Sequence, residues 1–262
     1  MAVNKDSTLQ PGFAYRLTHL WADGLDLIFP VSCGGCGKPG ARWCSDCQKS
    51  LTPVPAPICD ICGSPQETSG ICRGCQNTPP RYSALRSCAV YRDPARPALL
   101  KLKYHHEKWL GESMAWSLAV FLHNLGWQAE LVVPIPLSKQ RLTERGYNQV
   151  DLIAHPLAMI MNWQYQPGVL RRARHTISQV GMHPGQRRVN VKGAFIAERI
   201  GLAGKTCLLV DDVTTTGSTI DSAAGALMDA GAAKVMALTF AKALSSYGFD
   251  HEKLAPSHPA LS

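Results

Sequence analysis

The chain has 262 residues, with 27 Lys and Arg against 19 Asp and Glu, which gives a formal net charge of +8. This length is sufficient for one α/β domain and one smaller module, and the positive charge favours an anionic partner. No apolar run approaches the roughly 20 residues that a membrane-spanning helix requires, so we predict no membrane span.

Residues 1–30 carry apolar side chains at near-helical spacing, namely Phe13, Leu17, Leu20, Trp21 and Leu25. We predict an amphipathic helical segment that packs onto the body of the protein. Binding to a membrane surface is the alternative role for such a segment, but this one is not notably basic, which disfavours that role.

Residues 31–80 are predicted to form a small zinc-ribbon module, because they contain four CxxC pairs. Two residues between two cysteines let a tight turn direct both sulfurs at one metal ion, so two pairs complete a tetrahedral Cys₄ zinc site. Pairing in sequence order would give two sites, but interleaved pairing is also open, as is the number of ions, one or two. The cysteines are Cys33, Cys36, Cys44, Cys47, Cys59, Cys62, Cys72 and Cys75.

Zinc is favoured over disulfides at these cysteines. Disulfides are typical of secreted proteins, whereas the sequence shows no secretory segment and continues into an ordinary α/β pattern, so we predict a reducing, cytoplasmic location. Four thiolates close the coordination shell of the ion, which indicates a structural metal rather than a catalytic one. The module has few large apolar residues, so metal binding would supply its folding free energy.

From about residue 85 to residue 244, predicted strands and helices alternate. Such alternation predicts an α/β fold: a mostly parallel, Rossmann-like sheet flanked by helices, followed by a flexible tail over residues 245–262. Strands are predicted at 87–91, 131–133, around Phe195, at 207–210 and at 235–240, and helices at 94–102, 109–125, 149–163 and 218–230.

Basic residues concentrate in two stretches that follow predicted strands. Nine Lys and Arg stand against two acidic residues between positions 131 and 192. Near a phosphate site these cations would neutralise a pyrophosphate, and in a groove they would follow a nucleic-acid backbone; a solvated basic face is the alternative. The candidate contacts are Lys139, Arg141, Arg145, Asn148, Gln149, Arg174, Gln179, Arg187 and Arg188.

The last cluster follows the apolar run at 207–210, where Asp211 and Asp212 are predicted to end a strand. We call these two residues the acidic pair. A run of small residues then leads into a helix, in which Ser218 and Asp221 resemble a capping box. Backbone N–H groups at a helix N-terminus favour a phosphate, although the same residues could merely end a strand and cap a helix. We call the run the hydroxyl loop: Thr214, Thr215, Thr216, Gly217, Ser218 and Thr219.

The acidic pair and the hydroxyl loop together resemble the phosphoribosyl-pyrophosphate (PRPP) motif of type I phosphoribosyltransferases. The resemblance implies that Asp211 and Asp212 hydrogen-bond the ribose hydroxyls and that the hydroxyl loop holds the 5-phosphate. It further implies that Mg²⁺ bridges the pyrophosphate and the ribose. The fold expected from the resemblance is the type I phosphoribosyltransferase-like sheet, with the Cys₄ module at its N-terminal side.

Over about residues 25 to 244 the chain resembles the ComF family, competence-associated phosphoribosyltransferase-like proteins with an N-terminal double zinc ribbon. The resemblance implies a part in DNA uptake, natural competence or DNA utilisation. It also implies contact with single-stranded DNA and with a helicase-type competence or DNA-processing protein. It rests on the cysteine module, on the acidic pair with the hydroxyl loop, and on three further elements: residues 145–149 (Arg-Gly-Tyr-Asn-Gln), Thr176 to Gln179, and Arg187 to Asn190 followed by Phe195.

Three functions remain open at this point. The first is PRPP and Mg²⁺ binding in DNA uptake or utilisation, with phosphoribosyl transfer as a glycosyltransferase left undecided because no acceptor nucleophile is identified. The second is a non-catalytic, zinc-dependent adaptor for single-stranded DNA or proteins, whose binding would depend strongly on salt. The third is a nucleobase-salvage phosphoribosyltransferase, for which the zinc module would be superfluous.

Overall fold

The computed structural model describes residues 31–173 and 193–244. The predicted N-terminal helix, the predicted tail and four candidate contacts (Arg174, Gln179, Arg187 and Arg188) lie outside the described residues. In chain order the elements are α1 (Ser45–Ser50), α2 (Arg73–Asn77), β1 (Ala84–Val90), α3 (Ala95–Tyr104), α4 (Leu110–Leu125), β2 (Leu131–Pro134), α5 (Lys139–Arg145), α6 (Asp151–Met161), β3 (Gln164–Tyr165), β4 (Leu170–Arg172), β5 (Phe195–Ala197), β6 (Thr206–Thr214), α7 (Ser218–Asp229) and β7 (Lys234–Lys242).

Five strands form one parallel sheet in the order β1-β7-β6-β2-β3. The central strands are buried on both faces, which is why they read as continuous apolar runs: all four residues of β2 are buried. Strands β4 and β5 pair separately as an antiparallel hairpin. The predicted fold class, a mostly parallel sheet flanked by helices, is therefore confirmed.

Two apolar cores lie on opposite faces of the sheet. On one face, α3, α4 and α6 pack against Leu208, Leu238 and Phe240. On the other face, α7 and the β4–β5 hairpin pack against Leu209 and Val235. Neighbouring residues of β6 thus serve different cores, as the two-residue period of a strand requires. Across residues 31–173 and 193–244, no helix is both long and apolar enough to cross a membrane.

The structure corrects two details around the acidic pair. Strand β6 does not end before Asp211 but continues to Thr214, because β7 is long enough to pair with it as far as Lys242. The N-cap of α7 is Gly217, with a φ of +79°, and not Ser218. The predicted capping box is therefore wrong, and the Asp221 carboxylate instead accepts a hydrogen bond from the backbone N–H of Arg81 at 2.6 Å.

The two cysteine-rich segments pack on opposite faces of the sheet beside β1, which is an edge strand. The first segment packs on the α4 face, where the rings of Trp43 and Phe240 meet edge to face at 6.4 Å. In the second segment, Ile61 packs into the opposite core and its carbonyl accepts from Leu85 N–H at 2.7 Å. Between them, the carbonyl of Thr52 accepts from Val90 N–H at 2.7 Å. The module thereby covers an edge that would otherwise be open to pairing.

Candidate functional site

A cavity of about 480 Å³ opens at the carboxyl ends of β2 and β6. In open α/β sheets, ligands bind beyond the carboxyl ends of the strands. The cavity brings together six of the predicted site residues, and two residues outside the predicted set, Lys103 and Arg172, join them. Predicted residues that do not line it are Lys139, Asn148 and the first five residues of the hydroxyl loop. The six are Arg141, Arg145, Gln149, Asp211, Asp212 and Thr219.

Asp212, the more deeply buried member of the acidic pair, is held through both of its carboxylate oxygens. Its Oδ1 lies 3.0 Å from Nζ of Lys103, and its Oδ2 accepts a hydrogen bond from Nε2 of Gln149. Gln149 in turn accepts a hydrogen bond from the Arg145 guanidinium. These contacts fix the Asp212 carboxylate in the cavity at the carboxyl ends of the strands and connect it to α5 and to the C-terminal turn of α3.

The two members of the pair differ in their surroundings. Burial is the largest cause that raises the pKa of Asp211 to about 7, followed by the charge of Asp212, while Lys103 and Arg172 oppose the shift. For Lys103, burial lowers the pKa, but the charge of Asp212 and the hydrogen bond to it outweigh burial, so the pKa lies above its ordinary value. Lys103 therefore stays charged, whereas Asp211 holds its proton up to a pH close to neutrality.

The hydroxyl loop connects the end of β6 to the N-terminus of α7. Oγ1 of Thr216 and Oγ of Ser218 are 2.8 Å apart, and no side chain caps the helix at Gly217. The first backbone N–H groups of a helix have no partner within that helix, so this turn offers N–H and O–H donors together. Only Thr219 of the loop also lines the cavity, which places the loop at one end of it.

Cationic side chains surround the rest of the cavity. The guanidinium of Arg145 lies 5.2 Å from the ring centre of Tyr104, and that of Arg172 lies 5.2 Å from the ring centre of Phe195. Nε of Arg172 is buried without a hydrogen-bond partner. Burial, followed by repulsion from Arg141, lowers the pKa of Arg172, while Asp211 acts in the opposite sense. A polyanionic ligand would relieve this repulsion between cations.

Lys103 and Arg172 escaped sequence reasoning for different reasons. Lys103 lies in the last turn of α3, more than a hundred residues before Asp212, and no motif spacing connects the two. Arg172 belongs to the second basic stretch, but a run of arginines does not indicate which of them faces a cavity. The one usable signal for Lys103 is its place at the end of a helix that follows the first strand.

The cysteines form two groups of four in sequence order, which settles the pairing. We call Cys33, Cys36, Cys44 and Cys47 the first cluster, and Cys59, Cys62, Cys72 and Cys75 the second cluster. Within each cluster all four sulfurs lie within 4.8 Å of one another. Sulfur–sulfur distances of 3.6 Å (Cys33 to Cys47) and 3.8 Å (Cys62 to Cys72) match the edge of about 3.8 Å expected for a tetrahedron with Zn–S bonds of roughly 2.3 Å. The donor sets therefore fit structural zinc.

Comparison with known proteins matches the cysteine module and the parallel-sheet domain to two different domain families. Residues 24–76 match the double zinc ribbon domain family, and residues 156–255 match the phosphoribosyl transferase domain family. The DNA utilization protein YhgH of Escherichia coli (strain K12) is 32% identical over 219 residues, which cover 80% of this chain and 96% of that protein.

Competence protein F of Haemophilus influenzae is 28% identical over 208 residues, covering 76% of this chain and 90% of that protein. A solved phosphoribosyltransferase from Corynebacterium diphtheriae is 16% identical with a TM-score of 0.33, covering 59% of this chain and 90% of the other. With both domain families matched and an identity of 32% over four fifths of its length, the chain belongs to the ComF family of double-zinc-ribbon, phosphoribosyltransferase-like proteins.

Proposed function

We propose that this protein binds PRPP with Mg²⁺ in the cavity and acts in DNA uptake or utilisation, where it handles single-stranded DNA. The observation that carries the proposal is the composition of the cavity. It joins the acidic pair at the end of β6 to cations from three other elements: Lys103 from α3, Arg141 and Arg145 from α5, and Arg172 from β4.

The acidic pair suits the ribose of such a ligand, and the hydroxyl loop suits its 5-phosphate. Carboxylate oxygens accept hydrogen bonds from sugar hydroxyls, and the N-terminus of α7 attracts a phosphate through its N–H groups and dipole. Gly217 adopts a φ of +79°, which lets the backbone turn closely at this point. Because the loop and the pair lie on one continuous stretch of chain, both ends of a ribose 5-phosphate can be bound together.

The cations suit the pyrophosphate. Lys103 is held by Asp212, and the Arg172 guanidinium has a buried nitrogen without a hydrogen-bond partner. Asp211 and Asp212 are the described residues that would hold Mg²⁺, since that ion prefers carboxylate oxygens and phosphates. When bound, Mg²⁺ would neutralise the pyrophosphate. The residues of the chain would orient the ribose and hold the phosphates.

The DNA part of the proposal rests on the names of the relatives and on the charge of the cavity rim. Lys139 and Arg141 are exposed on α5. The side chain of Arg171 on the β4–β5 hairpin is 70% exposed, although it forms an ion pair with Glu198. Single-stranded DNA would follow such a rim through its phosphates. A helicase-type protein that acts on the same strand is the partner that this role implies.

Calorimetric titration of PRPP with Mg²⁺ into the zinc-loaded protein tests the ligand. We expect binding that the double substitution Asp211→Asn/Asp212→Asn abolishes. Asp229→Asn, an exposed carboxylate on α7 with 70% side-chain exposure, is the control and should bind normally. Unchanged affinity in the double variant would refute the assignment of the site.

The DNA contact is tested by the salt dependence of binding to an unstructured oligonucleotide. Lys139→Ala/Arg141→Ala should weaken binding and reduce the slope of log K against log salt by about 0.7 per lost phosphate contact. Lys234→Ala is the control, because this exposed lysine begins β7 at the amino ends of the parallel strands, away from the cavity at their carboxyl ends. An unchanged slope in the double variant would remove α5 from the DNA interface.

Measuring pyrophosphate release separates the remaining functions. PRPP binding that yields pyrophosphate only when DNA or a protein partner is added indicates transfer to that acceptor. Turnover with a free nucleobase would instead indicate a salvage enzyme. DNA binding without any PRPP binding would support a non-catalytic adaptor.

A further inference from the structure

The second cluster is fastened to the sheet through its backbone. The carbonyl of Ile61 accepts from Leu85 N–H at 2.7 Å, and the carbonyl of Cys62 accepts from Nζ of the buried Lys242 at 3.4 Å. At Gly63 a Cβ atom would lie 2.4 Å from the carbonyl oxygen of Leu85, so the turn rests directly on β1 without space for a side chain. The position of the second cluster is thus tied to β1 and β7.

Tyr82, just before β1, and Leu85, at the start of β1, also contact the hydroxyl loop. Around Gly217, the position of a Cβ atom would lie 3.0 Å from the hydroxyl oxygen of Tyr82 and 3.5 Å from Cδ2 of Leu85. Tyr82 is only 4% exposed. With Leu85 it belongs to the apolar core against which Ile61 packs. Tyr82 and Leu85 therefore contact the turn of the loop. Leu85 also contacts Ile61 and Gly63 in the segment that carries the second cluster.

The first cluster has no comparable connection among the described residues. It packs on the other face of the sheet, where Gly34 lies against the side chain of Leu110 and Gly35 against Pro94. Gln48, within this segment, accepts a hydrogen bond from Ser117 of α4. The contacts described for the first cluster lead to α3, α4 and β7 and not to residues 214–221.

We propose that Tyr82 is a positioning residue which, with Leu85, transmits the order of the second cluster to the hydroxyl loop. Metal at the second cluster and a ribose phosphate at the loop would then stabilise each other, while metal at the first cluster would not take part. The coupling must be reciprocal, because each ligand changes the affinity of the other by the same factor. This inference rests on the proposed function, since it assigns the loop to a phosphate.

Two matched cysteine variants separate the clusters. Cys62→Ser and Cys36→Ser each remove the second cysteine of the leading CxxC pair, so each should leave one zinc per chain. With ribose 5-phosphate as a magnesium-independent probe, we expect Cys62→Ser to weaken binding about ten-fold, within the usual range of coupling between sites. Cys36→Ser should leave the affinity near that of the native protein. Equal losses in both variants would overturn the inference.

Substitutions at Tyr82 test the path itself. Tyr82→Leu should keep both zinc ions and weaken ribose 5-phosphate binding. Tyr82→Phe should retain most of the affinity, because it keeps the ring atom Cζ, which lies 3.9 Å from the Cβ position of Gly217. A purely structural role would lower the stability of Tyr82→Leu without separating the two substitutions in binding. Native affinity in Tyr82→Leu would refute the role of this residue.

Zinc release gives a readout that does not depend on Cys62→Ser folding. In Cys36→Ser, which holds only the zinc of the second cluster, ribose 5-phosphate should slow transfer of that zinc to a coloured chelator. If ribose 5-phosphate binds and release from the second cluster is unaffected, the inference alone fails. If the native protein binds no ribose 5-phosphate, the proposed function fails together with it.

Discussion

Asp211 and Asp212 are adjacent residues whose carboxylates have different partners. Both oxygens of Asp212 have partners, whereas burial and the charge of its neighbour raise the pKa of Asp211 to about 7. A carboxyl that is costly to ionise in the folded protein is a typical feature of a binding site, where a ligand or metal later compensates the charge. The pair is therefore a source of instability in the ligand-free protein.

We expect Asp211→Asn to stabilise the ligand-free protein at pH 8 by about 1–3 kcal/mol. The folded-state pKa lies above the unfolded value, so the native protein binds more protons and loses stability as pH rises from about 4 to about 7. The gain should be smaller at pH 5. Urea unfolding at the two pH values measures it, with Asp229→Asn as the exposed control. Destabilisation by Asp211→Asn at pH 8 would contradict this account.

Lys103→Met should destabilise the protein by about 2–4 kcal/mol, because it leaves a buried carboxylate without its charged partner. The side chains of Lys103 and Asp212 are only 18% and 6% exposed. Adding Asp212→Asn should recover part of the loss. The surface pair Lys205–Glu130, at 2.6 Å, is the control, and Lys205→Met should cost less than about 1 kcal/mol. If thermal unfolding shows equal losses of stability in Lys103→Met and Lys205→Met, the charge of Lys103 does not stabilise the buried Asp212 carboxylate.

Local motifs identified the acidic pair, the hydroxyl loop and both cysteine clusters, because each is coded within a short stretch of chain. Lys103 was missed because its role depends on the fold bringing α3 next to β6. The predictions for Arg174, Gln179, Arg187 and Arg188 stay predictions. Ligand contacts by Asp211, Asp212 and the hydroxyl loop are likewise proposals that binding experiments have to test.

At the scale of elements, apolar runs located the buried strands, and α4 ends at Leu125, as predicted. The capping box predicted for the start of α7 was wrong. Three kinds of element escaped. Helix α5 has no buried residue and therefore no apolar period. Strand β3 is two residues long, and β4, which pairs with the predicted strand around Phe195, carries arginines where an apolar pattern would reveal a strand. The two strands depend on partners distant in sequence, β2 and β5, whereas α5 is held by its local caps at Ser138 and Gly146.

The crossing of α4 and α6 depends on a single glycine. A Cβ atom at Gly111 would lie 2.4 Å from the carbonyl oxygen of Leu152, so Gly111→Ala must push the helices apart. We expect a loss of more than about 2 kcal/mol, although alanine favours helix formation. Gly225→Ala in α7 is the control, since its Cβ would meet Arg81 at an ordinary 3.6 Å. Equal stability of both variants in urea would exclude the close approach of the helices.

On the scale of the whole molecule, the cysteine module completes a sheet that would otherwise end in an open strand. Its segments lie on both faces beside β1 and supply the carbonyls of Thr52 and Ile61 to that edge. Four thiolates in each cluster hold these segments, which have little apolar area of their own. Metal binding and the integrity of the sheet edge are therefore linked.

Removal of zinc by a chelator under reducing conditions should lower the temperature of unfolding and make the protein associate. The expected cause is exposure of the N–H groups of Leu85 and Val90 on β1, since unpaired edges add further strands. Light scattering during chelation, followed by addition of zinc, provides the measurement and its control. A zinc-free protein that stays monomeric would show that the module is not needed to cover the edge.

The pairing of β1 with β7 joins the first and the last strand of residues 31–173 and 193–244. The hydrogen bond between Ser87 and Thr239 spans 152 residues. A ribosome that adds about 5–20 residues per second leaves β1 without this neighbour for roughly 10–30 seconds. Both cysteine clusters have left the ribosome before β7 is made, so they can bind zinc and shelter β1 during that interval. Metal capture by the two clusters can therefore precede closure of the sheet.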